Sequence, residues 1–154
     1  RLHGVPQTGL RFFTAYGPWG RPDMALWMFT DAIMAGKPIT LYDGGALARD
    51  FTYIDDITPT VARILETPPA GKPPHQIYNL GNSKPHQVVD LVAAIEKALG
   101  RSATRINAPR DPVEVSSTYA DIAKAAAAFG FAPKTKLEDG VARYVEWRKA
   151  HLKF

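Results

Sequence analysis

Two arginines stand where a chain can grip an anion. Arg21 lies between Gly20 and Pro22, on a loop that follows a strand end, and α/β proteins place ligands on such loops. Arg49 follows the turn Asp43-Gly44-Gly45 and precedes Asp50 at the start of a strand. A guanidinium fork satisfies phosphate or carboxylate oxygens with paired, charge-assisted hydrogen bonds. Each arginine also has a plainer reading: Arg21 as a solvated loop residue, Arg49 as the ion-pair partner of Asp50 or Asp56. Tyr42, at the end of a strand before the turn, offers an aromatic face that either stacks on a base or caps the core. Trp19, between Pro18 and Gly20, is open in the same way.

Other chemistries find little support. Asp55 and Asp56 are adjacent carboxylates, but their position opening a helix suits capping better than acid–base work. Ser116-Ser117 has no histidine or lysine in motif spacing, and no Gly-x-Ser-x-Gly occurs. Gly-x-Gly-x-x-Gly and the phosphate-loop Gly-Lys-Ser/Thr pattern are both missing, so the chain has no dinucleotide fingerprint of its own. His3, His75, His86 and His151 are scattered without metal-ligand spacing. The absence of cysteine rules out disulfides and thiolate metal sites, and fits a reducing compartment. No metal is expected.

The net charge of +4 is spread along the 154 residues without a basic run or helix. A nucleic-acid surface needs many cations, whereas a small anionic ligand needs two or three. The balance therefore points to a ligand and away from nucleic acid. No apolar run reaches bilayer length, so no membrane span is expected. The start at Arg1 shows no basic, apolar and small-residue series of a secretory signal.

The elements that position these residues follow from period and punctuation. Gly9 to Thr14 reads as a buried strand, followed by a loop through Gly20. Met24 to Ala35 has the helical period at Leu26, Phe29, Ile33 and Met34, and Gly36 stops it. Ile39 to Tyr42 and Phe51 to Tyr53 are strands. Asp55 or Asp56 caps the next helix, whose first turn takes Pro59 and whose apolar face runs through Ile57, Val61, Ile64 and Leu65. Residues 67–74 are an exposed, proline-rich loop before a strand at Gln76 to Asn79. Gln87 to Leu99 is an amphipathic helix with Val88, Leu91, Val92, Ile95 and Leu99 on one face and Gly100 as its stop. A strand at Thr104 to Ile106 follows. Asp121 caps a short helix to Phe129. Thr135 and Glu138 form a capping box for a last helix with Leu137, Val141, Tyr144, Val145 and Leu152 inward. Alternating strands and helices make the class α/β. The chain opens almost directly on a buried-looking strand and has few strands for its helices, as expected of a stretch from a larger parallel sheet.

Four segments carry a family resemblance that covers nearly the whole chain. Asp50-Phe51-Thr52-Tyr53-Ile54-Asp55-Asp56-Ile57 and Tyr78-Asn79-Leu80-Gly81-Asn82 are similar to segments shared by many extended short-chain dehydrogenase/reductases. Gly9-Leu10-Arg11-Phe12-Phe13-Thr14 and Tyr16-Gly17-Pro18-Trp19-Gly20-Arg21-Pro22-Asp23-Met24 resemble the UDP-glucuronate 4-epimerase branch, the latter most specifically. The resemblance implies the last strands of a Rossmann-type sheet plus the smaller substrate-binding domain, with the NAD-binding half missing from residues 1–154. It implies that Phe13 lies beside the nicotinamide of NAD, and Thr14 and Arg21 near the sugar and its carboxylate. Tyr42 would pack on the uracil, Arg49 would hold the diphosphate, and Glu114 would reach a ribose hydroxyl. The implied parent reaction oxidises C4 of the hexose, turns the 4-keto sugar and returns the hydride to its other face.

The chain also departs from that family. Val113-Glu114 stand ahead of Thr118-Tyr119-Ala120-Asp121 where relatives usually carry Gly-Asp, and the catalytic Tyr-x-x-x-Lys is missing. Arg110 is one place from where some relatives carry a phosphate-binding arginine. The chain alone is therefore expected to bind NAD poorly and to turn nothing over. The resemblance further implies a cytoplasmic homodimer as parent, supplying polysaccharide precursors, while open strand edges predict self-association of this chain. Alternatives are a neutral-sugar epimerase or nucleotide-sugar dehydratase fragment, a non-catalytic sugar-nucleotide binding module, and a structural protein that keeps only the fold.

Overall fold

The computed structural model describes residues 3–151. Seven short strands and five helices alternate in an α/β arrangement. Strand β1 (Gln7–Phe12) runs parallel to β5 (His75–Leu80) in register Gln7–His75 through Phe12–Leu80. Strand β2 (Thr14–Tyr16) runs parallel to β4 (Ala48–Tyr53), whose other flank takes the antiparallel β6 (Pro85–Gln87). Strand β3 (Ile39–Tyr42) pairs in parallel with β7 (Arg105–Ala108).

The helices α1 (Ala25–Met34), α3 (Val88–Leu99) and α5 (Leu137–Ala150) build the larger core with β2, β3 and β4. Leu91, Val92 and Ile95 of α3 are fully buried, against Val141, Tyr144 and Val145 of α5. This is the face that the sequence period marks out. At the start of α3 the Asp90 carboxylate accepts the Gln87 N–H (3.0 Å), and Gly100 ends the helix in the left-handed conformation that glycine adopts without a Cβ penalty. The smaller core lies under α2 (Ile54–Leu65) and α4 (Ala123–Phe129), with Ile57, Leu80, Ala125 and Phe131 at its centre. No described helix is long and apolar enough to cross a membrane.

Several expectations are corrected. The strand expected over Gly9 to Thr14 breaks at Phe13 into two strands that join different sheets, and it is not buried: Phe12 is 51% exposed. Among the described residues β1 is flanked on one side only, which leaves part of its apolar surface open. Helix α2 starts at Ile54, so Asp55 and Asp56 lie in its first turn, where carboxylates favour the helix dipole, and not at the cap. The Asp56 carboxylate instead accepts the Thr135 N–H at 3.0 Å. Pro59 falls in the second turn of α2, and Leu65 points outward, 79% exposed. The capping box of Thr135 and Glu138 does not form, because Lys136 holds the cap position of α5. Asp121 accepts the Ala123 N–H (3.0 Å) as α4 begins, with Ile122 at the cap. Leu152 lies outside the described residues.

Candidate functional site

A cavity of about 560 Å³ opens between the β2–α1 loop, the ends of β3 and β4, and α5. Thr14, Arg21, Tyr42, Arg49 and Glu114 all line it. They come from positions as far apart in sequence as 14 and 114: the parallel pairing of β2 with β4 brings the strands of Thr14 and Arg49 together, and backbone bonds of Ser116 and Thr118 to Ala48 bring the Glu114 segment beside them. Thr14 sits opposite Phe51 in that pairing, so its end of the cavity is fixed by backbone ladder bonds.

Each cation in this wall has a carboxylate on it. Arg21 grips Asp23 with a two-pronged fork, Nε to Oδ1 at 3.1 Å and Nη2 to Oδ2 at 2.7 Å. Both side chains are exposed, and the fork's hydrogen bonds hold the Asp23 carboxyl below the usual carboxylate range. Arg49 pairs with neither Asp50 nor Asp56. Its Nη2 donates to Glu114 Oε1 at 2.8 Å and its Nη1 to the Ala48 carbonyl at 2.8 Å. Arg110 stands just behind, with Nε 3.2 Å from Asp43 Oδ2 and Nη1 donating to the Glu114 carbonyl at 3.3 Å. A guanidinium pre-set by a carboxylate presents its remaining N–H groups in a fixed direction, which suits a phosphate or carboxylate oxygen.

Tyr42 is 48% exposed at the cavity wall and does not cap the core. Trp19 stays outside, edge-on to Trp147 at 5.1 Å and to His151 at 5.4 Å. Phe13 also lies off this cavity: its ring is half-buried against Gly81, where a Cβ would meet Phe13 Cδ2 at 3.2 Å. Thus five of the six residues singled out from sequence meet at one cavity, and Phe13 does not.

The structure adds residues to the cavity that the sequence analysis gave no role there. Tyr16 and Tyr144 line the cavity from within, and burial raises the pKa of both phenols, so both stay neutral across ordinary pH. The Tyr144 hydroxyl has no hydrogen-bond partner among the described residues. Trp27 and Phe29 of α1 supply apolar wall. Their helical period alone could not separate cavity lining from core. Asp50 is the larger omission: it is fully buried and accepts the N–H groups of Ser83 (3.0 Å) and Ala120 (2.9 Å).

Toward a dinucleotide the described residues offer less. They include no glycine-rich strand-to-helix turn that would cradle its phosphates. The wall offers guanidinium N–H groups that suit an anion and an exposed aromatic face at Tyr42.

The NAD dependent epimerase/dehydratase family matches residues 1–81. A probable UDP-glucuronate 4-epimerase of Rhizobium meliloti (strain 1021) is 41% identical, with 97% of this chain and 50% of that protein aligned. UDP-glucuronate 4-epimerase 1 of Arabidopsis thaliana is 44% identical over 95% of this chain and 37% of its own. The solved structure of UDP-glucuronic acid 4-epimerase from Bacillus cereus, in complex with UDP-glucuronic acid and NAD, superposes with a TM-score of 0.85. It is 34% identical, covering 95% of this chain and 46% of that one. The chain spans about half the length of the curated relatives it matches.

Proposed function

From the premise that the chain belongs to the NAD dependent epimerase/dehydratase family, we propose that it is the substrate-gripping, carboxy-terminal half of a UDP-glucuronate 4-epimerase. The observation that carries this reading is the single cavity lined by Thr14, Arg21, Tyr42, Arg49 and Glu114. In this reading Arg49 binds the diphosphate, Tyr42 packs on the uracil, and Glu114 accepts from a ribose hydroxyl. Thr14 and Arg21 orient the hexose through its carboxylate, which exchanges with Asp23 on the Arg21 fork.

NAD, when bound by the complete enzyme, supplies reversible hydride acceptance at C4. Phe13 is the residue of this chain that would flank it. The division of labour is that this half holds the nucleotide while the hexose turns, and the Tyr-x-x-x-Lys half moves the proton. The 154 residues alone therefore bind without turnover, as a segment of a cytoplasmic, homodimeric enzyme.

Calorimetric titration of the chain with UDP and with UDP-glucuronate tests this. Saturable one-to-one binding of both is expected, with no conversion of the sugar. Arg49→Ala should weaken both ligands by about tenfold to a hundredfold, since a hydrogen bond to a charged group contributes about 1.5–3 kcal/mol. Arg21→Ala should weaken UDP-glucuronate and leave UDP alone. Absence of UDP binding at millimolar concentration, or indifference to Arg49→Ala, would sink the reading.

A further inference from the structure

Asp50 has an environment that sequence reasoning did not anticipate. It is 0% exposed, and among the described residues no cation pairs with it. Its charge is met by backbone donors instead. Oδ1 accepts the Asn82 N–H at 2.5 Å and the Thr52 hydroxyl at 3.3 Å. Oδ2 accepts the N–H groups of Ser83 at 3.0 Å and Ala120 at 2.9 Å. A buried carboxylate is costly unless its acceptor sites are filled, and here four donors fill them.

Thr52 belongs to β4 itself, and the other three donors come from two segments that must meet there. The turn 81–83 arrives from β5, and residues 116–120 run along the start of β4. The Ser116 carbonyl accepts the Ala48 N–H (2.9 Å), the Ala48 carbonyl accepts the Thr118 N–H (3.2 Å), and Thr118 Oγ1 accepts the Asp50 N–H (3.1 Å). The Ser83 hydroxyl donates to the Ala120 carbonyl and ties the two segments together. Gly81 permits the approach, since a Cβ there would stand 2.3 Å from the Ala120 Cβ and 3.2 Å from Asp50 Oδ2.

Upstream of this anchor the chain is held by polar ties and hardly by apolar packing: the Glu114 N–H donates to the Asp111 carbonyl at 2.9 Å, and Arg110, paired with Asp43, donates to the Glu114 carbonyl at 3.3 Å. Val113 is 86% exposed, and Val115 and Tyr119 are exposed as well. Yet this segment carries Glu114, whose carboxylate sets the Arg49 guanidinium at 2.8 Å. Apolar packing cannot place Glu114, because the apolar residues on either side face solvent.

We infer that Asp50 is a positioning residue of the site: its buried carboxylate pins residues 118–120 to β4 and thereby sets Glu114 against Arg49. The inference rests on the reading of the cavity as a UDP-sugar site. Carboxylate chemistry is required, because an amide of the same shape would turn two N–H donors toward N–H groups. The anchor acts on ligand binding only through the Glu114 segment and the arginine it orients.

The test uses Asp50→Asn and Thr118→Val in the full chain, alone and combined with Glu114→Ala. In ligand-free protein, Asp50→Asn should speed amide exchange at Ala120 and across residues 114–119, while α3 and α5 stay protected. UDP affinity should fall about tenfold or more in Asp50→Asn and less in Thr118→Val, which keeps the charge and loses one hydrogen bond. Neither substitution should weaken UDP further once Glu114→Ala is present, which a merely loosened fold would not reproduce. Additive losses, or unchanged affinity in both single variants, overturn the inference. Should Asp50→Asn fail to fold, Thr118→Val with its Glu114→Ala cycle decides. If the wild-type chain binds no UDP, the functional reading fails, and the exchange data still decide whether Asp50 pins the segment.

Discussion

The two cores of this molecule are finished to different degrees. Around α1, α3 and α5, apolar side chains from every packed element meet, and Leu91, Val92, Ile95 and Val141 are wholly enclosed. Around β1, β5 and α2, four residues make the centre, and an apolar hollow of about 250 Å³ remains open between Phe12, Ala15, Ile54, Ile57, Thr58 and Val61. The cavity with the arginines belongs to the finished side. Its walls are side chains of this chain, packed against the enclosed core. The β1 side presents apolar surface and a strand flank, both of which favour association.

Substitutions of matched kind separate the two sides. Leu91→Ala, in the enclosed core, should cost about 2–5 kcal/mol in urea denaturation. Phe12→Ala removes a larger side chain and should cost about 0.5 kcal/mol or less, as an exposed position does. Equal costs would erase the distinction. Gly81→Ala, where the sides meet, should cost about 1–3 kcal/mol by forcing Ala120 and Phe13 aside.

A smaller effect concerns pH. Burial, with help from Tyr53 and Asp56, raises the Tyr16 phenol above its ordinary value of 10.0. The folded chain thus favours the neutral phenol. That contribution is whole below pH 10 and is lost as pH rises beyond it. Stability should decline above pH 10, and Tyr16→Phe, whose lost bond to the Leu137 carbonyl is long at 3.4 Å, should flatten the decline. Least costly to the fold is Phe12→Lys. Sedimentation should show the wild-type chain self-associating and this variant much less so. A wild-type chain that stays monomeric at high concentration would remove the contrast between the two sides.

Much of this was legible in the residues, and the parts that were not share a cause. Helix α3 announced itself through its period and Gly100, both local features, while the Asp90 contact at its start came from the structure. The gathering of Arg21, Tyr42 and Arg49 was legible as three strand-end positions, although residues at strand ends do not say which strands are neighbours. Arg49 illustrates the limit. Sequence offered it Asp50 and Asp56 because they are near in the chain, whereas the fold offered Glu114 across 65 positions. Phe12 failed in the opposite direction, since strand patterning says that a side chain is apolar and not whether anything covers it. Asp50 read as a charge to be paired with a cation, and three of its four partners are backbone N–H groups that no side-chain motif displays.

The pairing of β1 with β5 also fixes an order of events. Gln7 finds His75 and Phe12 finds Leu80 only after everything between them exists. Within this stretch, then, β1 waits for the parallel neighbour that β5 provides until residues 75–80 have been made. Parallel contacts across such loops return nothing until the loop entropy has been spent, so they form slowly. For that interval the apolar side chains of Leu10 and Phe12 lack the cover that β5 brings, and such uncovered strand surface invites association during folding.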